Sequence, residues 1–246
     1  MGWLGTLRNE IGTAVVFLTR LPLRLGESLP LAAAARGFPL AGALVGGIAA
    51  MVLTLADFLG LPAIVAALLA IGAALAVTGA LHEDGLADSA DGLFATASRE
   101  RALEIMRDSR IGTFGTLALV LTVGLKATSL AALADGAAAL VAVHALARGW
   151  LPALMRWDDP ARSDGLAFDA GRPEAEGAYW AAGLGLAVAV LSVGVAGLLA
   201  AAASLACALA VAALARRRLG GYTGDTLGAA EQAAEIGAVL ALTTLP

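Results

Sequence analysis

Residues 81–93 read Leu-His-Glu-Asp-Gly-Leu-Ala-Asp-Ser-Ala-Asp-Gly-Leu and join two strongly apolar segments. The three aspartates of this stretch, Asp84, Asp88 and Asp91, stand at spacings of four and three. At about 100° per residue, these spacings place all three on one narrow face of a helix. Carboxylates this close repel one another unless a cation lies between them. The pattern predicts a face that binds Mg²⁺, whose other ligands are often waters and substrate phosphates; the alternative is a solvated acidic face.

The composition around this stretch is that of a membrane protein. Of the 246 residues, 59% are hydrophobic and 15% are charged, and the mean hydropathy is +0.83. A soluble globular domain carries roughly 25% charged residues. The length suits one membrane domain, residues 1–246, and the single Cys207 excludes an internal disulfide.

The apolar segments predict an all-α, polytopic membrane bundle of about seven transmembrane helices, because a bilayer core requires about 20 apolar residues. An N-terminal amphipathic helix at 3–21, ended by Pro22, is expected to lie on the membrane. A short helix, Arg99–Asp108, is expected within the polar segment that carries the aspartates. The predicted spans are Phe38–Leu59, Pro62–Leu81, Gly112–Leu133, Ala137–Met155, two helices in 178–215 that divide near 197–202, and Thr226–Leu245.

The arginines predict which end of the bundle faces the cytoplasm. All fifteen lie in the polar segments or at the adjoining helix ends, Arg148 included, whereas the only lysine, Lys126, is predicted toward the opposite end. Cytoplasmic loops are rich in Lys and Arg, so we expect the polar segments in the cytoplasm. These segments are 1–37, 82–111, 156–177 and 216–227.

Two further groups of polar residues are predicted at the same end. Asp108 and Arg110 precede the third span, and they are candidates for a metal ligand and for a bidentate phosphate ligand. Residues 220–225 read Gly-Gly-Tyr-Thr-Gly-Asp, which resembles a phosphate-binding turn before a helix N-terminus. The candidate ligands in this turn are Thr223, Gly224 and Asp225.

Two pairs of ionisable residues stand out within the predicted spans. His144 and Arg148 are four apart, as are Glu231 and Glu235. An ionised carboxylate facing lipid is prohibitive, so Glu235 is expected to face the bundle interior. For His144 a neutral interhelical hydrogen bond is the simpler interpretation, and for Arg148 phosphate binding and snorkelling both stay open.

Together these motifs resemble those of the cobalamin synthase family of membrane enzymes. Glu83 departs from the family pattern, which has an apolar residue there, but it points about 100° away from the aspartate face. The resemblance extends in order over nearly the whole chain. It rests on residues 17–22 (Phe-Leu-Thr-Arg-Leu-Pro), 36–40 (Arg-Gly-Phe-Pro-Leu), His82 with 84–88 and 91–92, 104–113, and 220–225.

The resemblance implies a multipass enzyme of the inner membrane, with its active site facing the cytoplasm. It would join adenosylcobinamide-GDP to α-ribazole or α-ribazole 5′-phosphate late in vitamin B12 assembly, release GMP and require Mg²⁺. Its partners would be these substrates and the lipid bilayer, without nucleic acid, and a homo-oligomer is left open. With the residue patterns, it assigns catalytic roles to Asp84, Asp88, Asp91, Asp108 and Arg110, and substrate binding to His82, Arg148, Thr223, Gly224, Asp225 and Glu231.

Two other functions stay open on the residues alone. A CDP-alcohol phosphotransferase also uses spaced Asp-Gly and Asp residues in a membrane helix. A cation transporter could line an ion path with the three aspartates and Glu235. A transporter would, however, need acidic residues near the midplane, whereas the predicted outer loops hold only Asp57 and Asp135.

Overall fold

The structure is a computed structural model that describes residues 3–23 and 29–244, and the described chain is helical throughout its regular elements. This confirms the all-α prediction. A 3-10 helix, Leu31–Gly37, precedes the second of the α-helices. The α-helices are α1 (Trp3–Leu18), α2 (Phe38–Phe58), α3 (Ala63–Thr78), α4 (Leu81–Ala95), α5 (Arg99–Ile105), α6 (Thr113–Ala132), α7 (Gly136–Trp157), α8 (Leu166–Asp169), α9 (Ala175–Val193), α10 (Ala196–Leu219) and α11 (Gly224–Thr243).

The chain is a multi-pass membrane protein. In its described part, five helical segments are long and apolar enough to cross a membrane: 31–58, α6, α7, α9 and α10. The α3 helix has 16 residues and makes a sixth span only if joined to α4, from which it is bent by 92°. Glu231 and Glu235 lower the hydropathy of α11. All seven predicted spans are therefore helices, but length and composition support five or six rather than seven as spans.

Three predicted boundaries were wrong. The α1 helix ends at Leu18 rather than at Leu21, and α5 ends at Ile105 rather than at Asp108. The break within 178–215 comes earlier than predicted, because Gly194 adopts a φ of 65° directly after α9. This left-handed region of φ is open to glycine and ends the helix there.

The α7 helix lies at the centre of the bundle, where it packs against α2, α9 and α11. Glycines on α2 allow this close approach: a Cβ added at Gly42 would lie 2.2 Å from the carbonyl oxygen of His144, and one at Gly46 would lie 2.5 Å from that of Leu140. Small residues at helix interfaces allow the backbones to approach closely in membranes. As predicted for an amphipathic helix, α1 buries Val15 and Leu18 against this core and leaves Phe17 exposed.

The polar loops meet at one end of the bundle, as their arginines predict. Arg99 donates hydrogen bonds of 2.6 Å to the carbonyl oxygens of both Leu219 and Ala161. The N–H of Ala161 donates in turn to the carbonyl of Tyr222 at 2.7 Å. The loops after α4, α7 and α10 thus form one polar layer. At the other end the helices are joined by short turns.

A sharp corner brings α4 into this polar layer. Gly79 and Ala80 both adopt left-handed backbone conformations, with φ of 67° and 57°. The corner turns α4 by 92° relative to α3, so α4 does not continue along the direction of the spans. The aspartate helix therefore runs across the polar end of the bundle rather than along α3.

Candidate active site

The aspartate helix α4 lies against the N-terminal part of α11 through two glycines. A Cβ added at Gly85 would lie 2.8 Å from the carbonyl oxygen of Asp225, and one added at Gly228 would lie 3.1 Å from that of His82. The absence of side chains at these two positions lets the backbones touch. Asp84 and Asp88 are thereby brought beside Asp225 of the 220–225 turn.

Asp84, Asp88 and Asp225 form a group that we call the acidic mouth. Asp84 is exposed and Asp88 is half-buried. Burial, followed by repulsion from Asp84, Asp225 and Asp91, raises the pKa of Asp88 to about 7. The carboxylates of the mouth therefore carry more negative charge than their surroundings balance, which is the condition under which a cation binds.

Arg162 is the cation nearest to the acidic mouth, and the sequence did not single it out. Its Nη2 lies 3.5 Å from Oδ2 of Asp225. Its Nη1 is buried and has no hydrogen-bond partner in the described part of the chain. A buried guanidinium N–H without a partner is unfavourable, so this atom is a ready donor to an anion.

The acidic mouth opens into a cavity of about 210 Å³ between α1, α4, α7, α8 and α11. At its polar end lie Asp84, Asp225, Arg162 and His82, together with Gly224. The rest of the cavity wall is mostly apolar and includes the side chains of Phe17, Phe38, Leu151 and Met155. The cavity therefore combines an anionic and a cationic group with an apolar chamber.

Asp91 does not share the surroundings of the other two aspartates. It is only 7% exposed, and its carboxylate accepts hydrogen bonds from the N–H groups of Gly112 at 2.6 Å and Gly115 at 2.9 Å. These N–H groups begin α6, where a carboxylate is favoured by the helix dipole. Asp91 thus anchors α6 to α4, which differs from the common metal-binding role predicted for the three aspartates.

Asp108 and Arg110 form a pair with each other outside the cavity. Arg110 Nη2 lies 2.6 Å from Asp108 Oδ2, and the Arg110 side chain is 86% exposed. Hydrogen bonds from Arg110 lower the pKa of Asp108 to about 2. Their catalytic roles stay predictions, and neither residue lines the cavity.

Thr223 is a helix cap. Its side chain accepts a hydrogen bond from the N–H of Thr226 at 3.2 Å, within a reciprocal capping box at the start of α11. Its hydroxyl also donates to Oδ2 of Asp225 at 3.3 Å. Thr223 therefore orients Asp225, and its predicted contact with substrate would be indirect.

The remaining predicted ligands lie in a second charged cluster, inside the bundle. We call it the interior network, and it joins α4, α6, α7 and α11. Its members are His82, Lys126, His144, Arg148, Glu231, Gln232 and Glu235, all of them buried.

Arg148 is the centre of the interior network. Its Nη1 lies 2.6 Å from Glu231 Oε1 and 2.9 Å from Glu235 Oε1. His144 Nδ1 lies 2.5 Å from Glu235, and Lys126 pairs with the same carboxylate. Arg148 is thus neither snorkelling nor open to a phosphate, and Lys126 lies within α6, as predicted, with its side chain buried in the network.

The interior network contains a metal-like grouping but does not fit a metal. Ligand atoms of His144, Glu231 and Glu235 lie within 4.8 Å of one another. Arg148 and Lys126 already contact these carboxylates, so a divalent ion would be repelled by two cations that occupy its place. The acidic mouth, with hard oxygen donors and a solvent-exposed side, fits Mg²⁺ better.

The sequence was also compared with those of known protein families. The family described as Cobalamin-5-phosphate synthase matches residues 10–243. The chain belongs to this family. The resemblance inferred from the motifs is therefore confirmed, and the family match spans both the acidic mouth and the interior network.

Three relatives named adenosylcobinamide-GDP ribazoletransferase illustrate the match. The protein of Bradyrhizobium diazoefficiens is 46% identical over 243 residues, which cover 94% of this chain and 93% of the relative. That of Allorhizobium ampelinum is 43% identical and covers 95% and 96%. That of Brucella canis is 44% identical and covers 98% of each. No solved structure matches the chain.

Proposed function

We propose that this cobalamin synthase family member joins adenosylcobinamide-GDP to α-ribazole, or to α-ribazole 5′-phosphate, and releases GMP in a late step of cobalamin synthesis. The structural observation that carries this proposal is the acidic mouth with Arg162 at the entrance of an apolar cavity. It offers a place for a cation and a diphosphate beside a place for an apolar acceptor. The names of the full-length relatives favour this reaction over a CDP-alcohol phosphotransferase or a transporter.

The reaction is a phosphoryl transfer. A hydroxyl oxygen of the acceptor forms a bond to the phosphorus that stays with the corrin, the P–O bond to GMP breaks, and the hydroxyl proton leaves. Proteins promote such reactions mainly by positioning the reactants and by neutralising the charge of the phosphates.

Mg²⁺ is the cofactor that we propose, with Asp84 and Asp88 as its protein ligands. Both are oxygen donors at the open side of the mouth, and their mutual repulsion is relieved by a cation. When bound, the ion would supply positive charge to the diphosphate. Asp91, whose carboxylate already accepts two backbone hydrogen bonds, would act by positioning α4 against α6.

Arg162 and Asp225 complete the proposed site. The unpartnered Nη1 of Arg162 would donate to a phosphate oxygen of the donor. Asp225 lines the cavity and would accept the proton of the acceptor hydroxyl. Glu231, which is fully buried against Arg148, and Asp108, which is held by Arg110, are less suited to that role.

The proposed location is the inner membrane, with the polar layer in the cytoplasm. The arginines in this layer support that orientation through the positive-inside rule. Single cysteines at Ser98 and Asp164, both exposed, would be introduced into a Cys207→Ser background. An impermeant thiol reagent should label them only in inverted vesicles or broken cells. Labelling from outside intact cells would overturn the orientation.

Release of GMP by the purified protein tests the reaction. The protein should release GMP only when adenosylcobinamide-GDP, an α-ribazole acceptor and Mg²⁺ are all present. Turnover of a CDP-alcohol without the cobinamide donor would instead support the phosphotransferase alternative. Ion flux through liposomes without either reaction would support the transporter.

A further inference from the structure

The apolar part of the cavity has a size and a chemistry that the diphosphate reaction alone does not explain. The whole cavity has a volume of about 210 Å³, and most of the residues that line it are apolar. Its wall includes two aromatic rings, Phe17 and Phe38, the flexible side chain of Met155, and the small residues Ala167 and Ala170. Apolar and aromatic walls of this kind favour an apolar ring over a polar group.

We propose that this chamber binds the heterocyclic base of α-ribazole and selects among bases by size; the inference rests on the proposed function. The base is 5,6-dimethylbenzimidazole, a bicyclic ring whose outer edge carries two methyl groups. Methyl groups lose no hydrogen bond when they enter an apolar wall, so their transfer from water is favourable. The attached ribose would then lie toward Asp225 and Arg162.

The other aromatic group of the reaction, the guanine of the donor, fits the chamber poorly. Its edge carries several hydrogen-bond donors and acceptors. Each of these would be buried against Leu151, Met155 or an alanine without a partner, at about 1–3 kcal/mol apiece. The corrin ring with its side chains is too large for the chamber, because the whole cavity has only about 210 Å³.

A change of base preference tests this inference more sharply than a loss of activity. Ala167 is buried and faces the chamber from α8, so Ala167→Leu should fill the space for the methyl groups. We expect kcat/KM for α-ribazole to fall about 10–200-fold, the range for a misfit of one or a few methylene groups in an apolar pocket. The unsubstituted benzimidazole riboside should be affected much less, and the KM for adenosylcobinamide-GDP should stay unchanged.

A second variant enlarges the chamber instead of filling it, and its result does not depend on whether the first variant folds. Met155→Ala should enlarge the chamber and raise kcat/KM for a riboside of a larger tricyclic base relative to α-ribazole. The matched control is Phe168→Leu, because Phe168 is exposed on α8 and does not line the chamber. This control should keep the wild-type preference.

The outcomes separate the inference from the proposed function. If the wild type releases GMP but Ala167→Leu and Met155→Ala both keep its base preference, the base binds elsewhere and the inference is wrong. The same result is expected if a lipid chain occupies the chamber. If the wild type releases no GMP with any acceptor, the proposed function itself fails, and the inference with it.

Discussion

The interior network and the acidic mouth adjoin each other through α4 and α11, yet they are built on opposite charge balances. In the interior network, Glu231 and Glu235 are matched by Arg148 and Lys126. The partly exposed Glu83 is a further carboxylate at its edge, 4.0 Å from Lys126. At the mouth, three carboxylates face one arginine, whose nearest approach is 3.5 Å. A cluster shut inside a bundle must be neutral within itself, because an unpaired buried charge is strongly destabilising. A cluster at an open cavity can carry an excess of charge that a ligand completes.

The largest effect is expected from breaking the balance of the interior network. Arg148→Met leaves two buried glutamates without their central cation, and such a loss destabilises a protein by about 3–5 kcal/mol. Thermal unfolding of the purified protein in detergent would measure it. Adding Glu231→Gln to the same chain should recover part of the stability, whereas Arg110→Met, at an exposed pair, should change it little. An unaltered unfolding temperature for Arg148→Met would contradict this account of the network.

Next in size is the loss of a carboxylate from the acidic mouth. Asp84→Asn and Asp88→Asn should leave the unfolding temperature close to that of the wild type and lower GMP release by about 10²–10³-fold, as for other preorganised charges. Their activity should also require more Mg²⁺. Asp57→Asn, at an exposed side chain in the last turn of α2, is the matched control. Near-normal activity of both mouth variants would mean that the mouth is only a solvated face.

Arg162 and Arg110 distinguish a cavity arginine from a surface arginine. Arg162→Ala should raise the KM for adenosylcobinamide-GDP about 10–100-fold, the equivalent of a charge-assisted hydrogen bond. Arg162→Lys should be almost as harmful, because a point charge does not replace the planar fork. The corresponding changes at Arg110 should leave this KM nearly unaltered. If instead only the Arg110 variants lose affinity for the donor, Arg162 is not the phosphate ligand.

The smallest effect is expected from a change at Asp91. This small effect would distinguish Asp91 from Asp84 and Asp88 on the same helix. Asp91→Asn weakens one of the two hydrogen bonds at the start of α6, and the loss of such a cap is worth about 1 kcal/mol. The unfolding temperature should fall slightly, while the Mg²⁺ concentration for half-maximal GMP release stays the same. A shift in that concentration as large as for Asp84→Asn would return Asp91 to the metal site.

The elements of the fold that could be predicted are those that local sequence encodes. Apolar runs predicted the spans, and the positions of the arginines predicted that the polar loops lie at one end. Both signals are contained within single segments of the sequence. The spacing of Asp84 and Asp88 correctly placed them on one face of a helix. The family motifs were specific enough to indicate the family before any geometry was known.

The pairings between distant segments could not be predicted in this way. Asp91 lies on the helix that carries the other aspartates, but its partners are N–H groups of another helix, and nothing in its spacing indicates them. Arg162 lies in a loop among several charged residues and carries no motif. Lys126 pairs with Glu235 across 109 positions of sequence, so its burial follows from tertiary packing alone.

The balance of the interior network also bears on how the protein responds to an electric field. Moving one elementary charge across a membrane potential changes the free energy by about 2.3 kcal/mol per 100 mV. With Arg148, Lys126, Glu231 and Glu235 all ionised, these four groups together carry no net charge, and their ion pairs tie α6, α7 and α11 together. The potential therefore exerts no net force on this group of four. GMP release should proceed at the same rate in energised and in de-energised vesicles.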